Sequence, residues 1–179
     1  RHLASFMLFT FVVGVSALAG AQDEHRQILR DKFQNGLEEI VGAYEGVAGI
    51  HIIDLTDGSR FAVSDELVFP QASAIKVPIL LELFRRAEAE PGLLSKRIEM
   101  TDKVRTAGSG VLQILTDGGS ALSVEDYAIY MIVYSDNTAT NVLIDELGMD
   151  AVNALSASLG AANTKLQRKM IRPEQSVLG

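Results

Sequence analysis

The sequence predicts an α/β fold on three observations. Two β-prone runs, Ile50 to Leu55 and Arg60 to Val63, flank Thr56-Asp57-Gly58-Ser59, and an Asp-Gly pair in that setting marks a hairpin turn. Apolar residues at helical spacing precede the hairpin and dominate the chain after Ser73. No internal repeat, low-complexity tract or linker divides the chain beyond residue 21, so one mixed unit is expected there. The chain has 179 residues, 47% of them apolar, which is enough to build a core.

The first segment reads as an address rather than as part of that unit. Leu3 to Ala21 carry no charge behind Arg1 and His2 and finish in Ala17-Leu18-Ala19-Gly20-Ala21, which offers two A-x-A cleavage patterns. A secretion signal over residues 1–21 is expected, with export to the periplasm or the extracellular space and no stable membrane association after cleavage. The alternative is an uncleaved anchor, since the run is nearly long enough to span a bilayer. A lipid-modified anchor is excluded because the sequence has no cysteine. Arg1 is not a methionine and Gly179 closes neither helix nor strand, so the sequence reads as a piece of a longer chain.

Beyond the signal, Ile28, Leu29, Phe33, Leu37, Ile40 and Val41 recur at helical spacing among charges from Asp23 to Tyr44, and glycines at 42, 46 and 49 end the helix they predict. Ser73 to Ala89 begins apolar on nearly every side and then turns charged, as expected of a helix entering the centre of the molecule. Pro78 lacks a backbone donor and is best tolerated in a first helical turn, so the helix either starts only a few residues earlier or kinks there, and both put Ser73 at the N-terminus. An extended stretch covers Ile98 to Val104, and a Gly-Ser-Gly loop lies at 108–110. Ser123-Val124-Glu125-Asp126 resembles a capping box opening a helix through Tyr134. Helices over Thr138 to Leu147 and Asp150 to Leu159 are closed by Gly148 and Gly160.

Composition narrows the chemistry. With no cysteine, disulfides and thiol or thiolate-metal chemistry are out of reach, so stability rests on the core. His2, His25 and His51 lack zinc-site spacing; His51 reads as a strand residue, and no metal or other cofactor is expected. Removing Arg1 leaves 23 acids against 15 bases, a formal charge of −8, which disfavours nucleic acid as a partner. Lys103 and Arg105 read as solvated charges. Tyr127, Tyr130 and Tyr134 lie at helical spacing, a packing pattern, although Tyr134 also borders the polar Ser135-Asp136-Asn137.

Ser73-Ala74-Ile75-Lys76 places a hydroxyl and an amine three residues apart, on one face of a helix. Serine alone is a weak nucleophile, and a lysine whose charge is disfavoured by burial can take its proton. At a helix N-terminus the dipole also favours a developing oxyanion. On its own the pair equally describes a helix cap and a solvated amine. Tyr134-Ser135-Asp136-Asn137, 62 residues further on, is a polar knot between two helices. Ser135 or Asp136 there also reads as a cap for the helix from Thr138.

In this order and spacing, the two motifs resemble those of the class A β-lactamases and related penicillin-recognising serine enzymes. Phe69-Pro70-Gln71-Ala72 before Ser73, Asn137 through Ile144, and Leu159-Gly160 look like the same family. The resemblance implies a β-lactamase/transpeptidase-like sandwich, an all-helical half against an antiparallel sheet with flanking helices, whose C-terminal strands lie outside these residues. It makes 22–179 an incomplete catalytic domain whose small-molecule substrate is a β-lactam and which acts as a monomer. Ser73 becomes the acylated nucleophile, and Lys76 its base or proton relay. Ser135 delivers a proton to the leaving nitrogen, and Asn137 hydrogen-bonds the substrate's side-chain amide and the Lys76 amine. Asp136 holds the turn, while Ser109 and Tyr134 flank the substrate.

Two departures from the family pattern bear on the activity. The family's Lys-Thr-Gly strand is absent from the sequence. Thr164 to Arg168 matches the entry to the loop that supplies the deacylating glutamate, and Met170 occupies that glutamate's place; a thioether accepts no proton at neutral pH. Glu174, four residues on, is the next carboxylate and the candidate replacement. The expected activity is hydrolysis of the β-lactam amide through an acyl-enzyme. Alternatives are a penicillin-binding DD-peptidase-like enzyme with slow deacylation and a non-hydrolytic β-lactam sensor.

Overall fold

A computed structural model describes the backbone of residues 2–115, 120–172 and 174, and their side chains from Asp23 onward. The chain divides into two units, Arg1–Val68 and Phe69–Gly179. In the first, α1 (His2–Ala43) runs without a break through both the expected signal and the expected amphipathic helix. Among the described residues no helix is long and apolar enough to cross a membrane.

The hairpin forms where the Asp-Gly turn predicts it. Strands β1 (Ile50–Ile53) and β2 (Arg60–Val63) pair antiparallel, with Ile50 opposite Val63 and Ile53 opposite Arg60. Gly58 takes a positive φ of 75°, which costs a residue without a Cβ little. The Asp57 carboxylate accepts the Ser59 amide at 2.8 Å. The Ser59 hydrogen bonds, helped by the Arg30 guanidinium at 2.7 Å, lower the Asp57 pKa to about 2. Arg30 also donates to Ser59 Oγ, Gln34 donates to the Ala62 carbonyl, and Phe33 meets Phe61 edge-on with centroids 4.8 Å apart. His51 sits in β1 with Nδ1 2.7 Å from the Asp65 carboxylate.

The second unit is built on four helices, α2 (Lys76–Ala89), α3 (Val124–Val133), α4 (Asn137–Leu147) and α5 (Met149–Ser158). Ile79, Leu83, Tyr127, Met131, Leu143 and Val152 are fully buried among them. Pro78 is the third residue of α2, in the first turn, where its missing donor breaks no helical bond. The expected extended stretch is shorter than read: β3 (Arg97–Glu99) pairs with β4 (Ala121–Ser123), a ribbon that the sequence did not announce. Tyr127 is buried with its hydroxyl on the Ile98 carbonyl, whereas Tyr134 is exposed, so the tyrosine row is only partly packing. Arg105 is not the solvated charge expected. Its side chain is 26% exposed, with Nε 3.2 Å from Asp102.

Helix α2 also departs from expectation. One face is core, but Val77, Leu81 and Phe84, at i, i+4 and i+7, remain about half exposed. Helix α4 is the opposite case. Every residue from Asn137 to Ile144 is buried, including the polar Asn137, Thr138, Thr140 and Asn141. Burial of that kind requires partners, and each of these side chains has one. At the start of α3 the capping box is complete: Ser123 Oγ accepts the Asp126 amide at 3.0 Å, and the Asp126 carboxylate accepts the Ser123 amide at 3.2 Å. Ser123→Ala removes the cap and is expected to lower stability by about 1 kcal/mol, read as a lower urea midpoint with an unchanged slope.

Candidate active site

Local backbone chemistry places Ser73 and Lys76. Ala72, with φ 45°, turns the chain into a short 3-10 segment, Ala72–Ile75, which runs into α2 at Lys76. Ser73 therefore lies exposed on the segment leading into α2, and Lys76, three residues on, points inward and is 2% exposed.

Across from them, Ser135 joins α3 to α4 at φ 52°, a left-handed conformation uncommon for serine. It is held there from both sides. The Asp136 amide donates to the Tyr130 carbonyl, ending α3, and Asp136 Oδ1 accepts the Ala139 amide at 2.9 Å, capping α4. Asp136 Oδ2 accepts the Leu112 amide at 2.8 Å, which ties the 107–112 loop to the same turn. The Asn137 amide donates to the Ser109 carbonyl, and Asn137 Nδ2 donates to the Ala107 carbonyl.

At the centre is the Lys76 amine. Its Nζ lies 3.3 Å from Ser73 Oγ, 2.9 Å from Ser135 Oγ, 2.6 Å from the Ser135 carbonyl and 3.1 Å from Asn137 Oδ1. Ser135 Oγ is 2.9 Å from Ser73 Oγ, so two hydroxyls and one amine form a closed triangle. Burial pushes the Lys76 pKa below its ordinary value, and the Asp136 carboxylate opposes that shift. Both α2 and α4 begin here, and the positive ends of their dipoles further disfavour a cation. The arrangement can move a proton from Ser73 Oγ through Nζ to Ser135 Oγ.

Ser109 and Tyr134 are both exposed beside this triangle, and Ser109 Oγ donates to the Tyr134 carbonyl at 3.3 Å. Met170 reaches the region by its backbone. Its amide donates to Asn141 Oδ1 at 2.7 Å and its carbonyl accepts from Asn141 Nδ2 at 3.2 Å, while Nδ2 also donates to Thr106 Oγ1 at 2.9 Å. Upstream, Asn153 grips the Leu166 amide and carbonyl in the same two-point manner. Glu174 is exposed and, among the described residues, forms no hydrogen bond to Ser73, Lys76, Ser135 or Asn137. Asn141 and Asn153 were not anticipated as site-building residues. The spacing of Asn141, one helical turn after Asn137, is the signal that could have found it.

Comparison with known proteins then fixes the family. A model of the β-lactamase enzyme family matches residues 32–177. The chain belongs to the β-lactamase enzyme family. It is 29% identical over 133 residues to β-lactamase L2 of Stenotrophomonas maltophilia, covering 74% of this chain and 43% of that protein. The crystal structure of a β-lactamase from Sphaerobacter thermophilus is similar at 37% identity and TM-score 0.69, over 76% of this chain and 51% of that one. PBP-A is similar at 30% identity and TM-score 0.72, over 78% of this chain and 53% of that one, and a mutant of PBP-A has been seen as an acyl-enzyme complex with penicillin G. The chain spans about half the length of the curated relatives it matches. Its α/β fold, helices with small antiparallel sheets, is the β-lactamase-type fold expected from the motifs.

The geometry of this β-lactamase-family site can be tested at two positions. Gly110 has φ 111°, and a Cβ there would fall 2.5 Å from Asp136 Cα and against Asp136 Oδ2. Gly110→Ala is therefore expected to destabilise by about 3 kcal/mol or more, seen as a large drop in Tm. Because the Lys76 pKa is lowered, its neutral form gains population at a lower pH than in free lysine. Labelling of Ser73 by a fluorophosphonate is expected to accelerate as pH rises, with a midpoint below 10.5.

Proposed function

We propose that this chain carries the acylating machinery of an exported serine enzyme of the class A β-lactamase type. Its substrate class is the β-lactams. Ser73 Oγ attacks the lactam carbonyl carbon, the C–N bond breaks, and the hydroxyl proton passes by way of Lys76 and Ser135 to the departing nitrogen. The product of this step is an ester on Ser73. The Ser73 backbone N–H is one oxyanion donor, and Asn137 receives the amide of the substrate's side chain. Asp136 supports the turn without touching substrate, and Ser109 and Tyr134 form the rim. The observation that carries the reading is the Lys76 amine within hydrogen-bond reach of both Ser73 and Ser135 hydroxyls.

Hydrolysis of that ester needs a base that activates water, and here Met170 decides between two readings. Asn141 holds its backbone, and by the resemblance in motif Met170 stands where the family carries a glutamate, with a thioether that accepts no proton. Deacylation is accordingly slow, which favours the second reading, a penicillin-binding DD-peptidase-like enzyme, over rapid turnover. The penicillin G acyl-enzyme of the PBP-A mutant is in keeping with an ester that persists. Residues 1–21 act as the export signal, the 22–179 portion belongs to the catalytic domain, and the protein works as a monomer.

Mass spectrometry of the full-length protein after incubation with penicillin tests the proposal. One covalent adduct per chain, located on Ser73 and absent from Ser73→Ala, is expected; failure to form it ends the acylation reading. A chromogenic cephalosporin should give a burst of one equivalent and then slow turnover. Met170→Glu is expected to raise the deacylation rate by roughly 10² to 10⁴, the usual contribution of a positioned general base. If Glu174→Gln instead abolishes a fast wild-type turnover, Glu174 is the base and the slow reading is wrong.

A further inference from the structure

We propose that Gln113 is a positioning residue for acylation: by holding the carbonyls of Gly108 and Gly110 it fixes the loop that orients the Asn137 carboxamide, and through that carboxamide the Lys76 amine. This rests on the acylation reading above, in which Lys76 takes the proton of Ser73.

Successive carbonyls of the loop, from Ala107 to Gly110, accept hydrogen bonds alternately from two residues. Asn137 donates Nδ2 to the Ala107 carbonyl at 3.0 Å and its backbone amide to the Ser109 carbonyl at 3.0 Å. Gln113 takes the carbonyls between. Its Nε2 donates to the Gly108 carbonyl and, at 3.1 Å, to the Gly110 carbonyl, which a carboxamide nitrogen with two N–H groups can do at once. Asn137 is buried, whereas Gln113 is half-buried on the short 3-10 turn Leu112–Ile114 that follows the loop. A segment without ladder hydrogen bonds takes its course from contacts of this kind.

The loop in turn sets which way the Asn137 carboxamide faces. With Nδ2 on the Ala107 carbonyl, Oδ1 is left for the Lys76 amine at 3.1 Å. Turned over, the carboxamide would aim its nitrogen at the amine and its oxygen at a carbonyl, and both contacts would repel. The backbone also touches this group directly: a Cβ on Gly108 would fall 2.8 Å from Asn137 Nδ2, so the space beside that glycine is already filled by the asparagine. Gly108 and Gly110 have φ 95° and 111°, and as glycines they are free to leave those conformations once Gln113 releases their carbonyls. The Ala107 carbonyl moves with them, Oδ1 loosens from Lys76, and an amine that loses an acceptor holds its proton less tightly.

The test follows fluorophosphonate labelling of Ser73 across pH in the full-length protein, with a probe that has no side-chain amide for Asn137 to bind. Gln113→Met keeps the length of the side chain and removes both donors. Its limiting rate at high pH should fall about tenfold, the scale of a misplaced reacting group, and its midpoint should move to lower pH by about half a unit. Among the described residues the charged group acting on Lys76 is Asp136, beside the hydroxyls of Ser73 and Ser135, and the substitution adds or removes no charge. A merely structural role would lower Tm or the fraction labelled and leave the midpoint in place. Gln113→Ala is read in the same way if the methionine variant does not fold. An unchanged midpoint in a folded variant overturns the proposal, whatever the rate, while leaving acylation standing. A wild type whose Ser73 is labelled at no pH overturns both.

Discussion

Burial of one amine organises this site. Lys76 Nζ is removed from water and accepted by oxygen atoms of Ser73, Ser135 and Asn137, which come from the entry to one helix and from the turn that opens another. A buried cation without such partners would cost several kcal/mol. The same burial that makes the amine demand partners also lowers its pKa, so the geometry and the chemistry have a single cause. Asp136 moderates the effect: it stands near enough to oppose the shift, while both its oxygens remain committed to backbone amides.

The surroundings of the amine are held by polar side chains of α4 and its cap rather than by regular structure. Asp136 fixes the 107–112 loop, Thr138 accepts the Thr106 amide, and Asn141 grips Met170. A loop without ladder hydrogen bonds still has amides and carbonyls to satisfy, and a carboxamide can meet one of each. One consequence concerns Met170. Its placement is set through backbone atoms, so the course of the loop does not depend on the Met170 side chain.

The apolar residues that stay exposed have a different origin. Val77, Leu81 and Phe84 form a stripe on α2, and Ile28, Leu29, Phe33 and Ile40 are exposed on α1. Helices of such pattern are usually covered on that side.

Much of this was legible locally. The Asp-Gly hairpin, the Ser123 capping box, the position of Pro78 in a first helical turn and the one-turn spacing of Ser73 and Lys76 all depend on residues within a few positions of each other. Local chemistry decides such features. Other features involved partners distant in sequence. The β3–β4 ribbon pairs residues more than twenty positions apart, Arg105 lost the solvent its charge suggested, and Asn141 found Met170 across 29 positions. The sequence alone determined which groups could react and in what order they lie along the chain. Only the tertiary structure decided that Lys76 is buried between two hydroxyls, because desolvation and the demand of buried polar groups for partners arise only when distant segments close on one another.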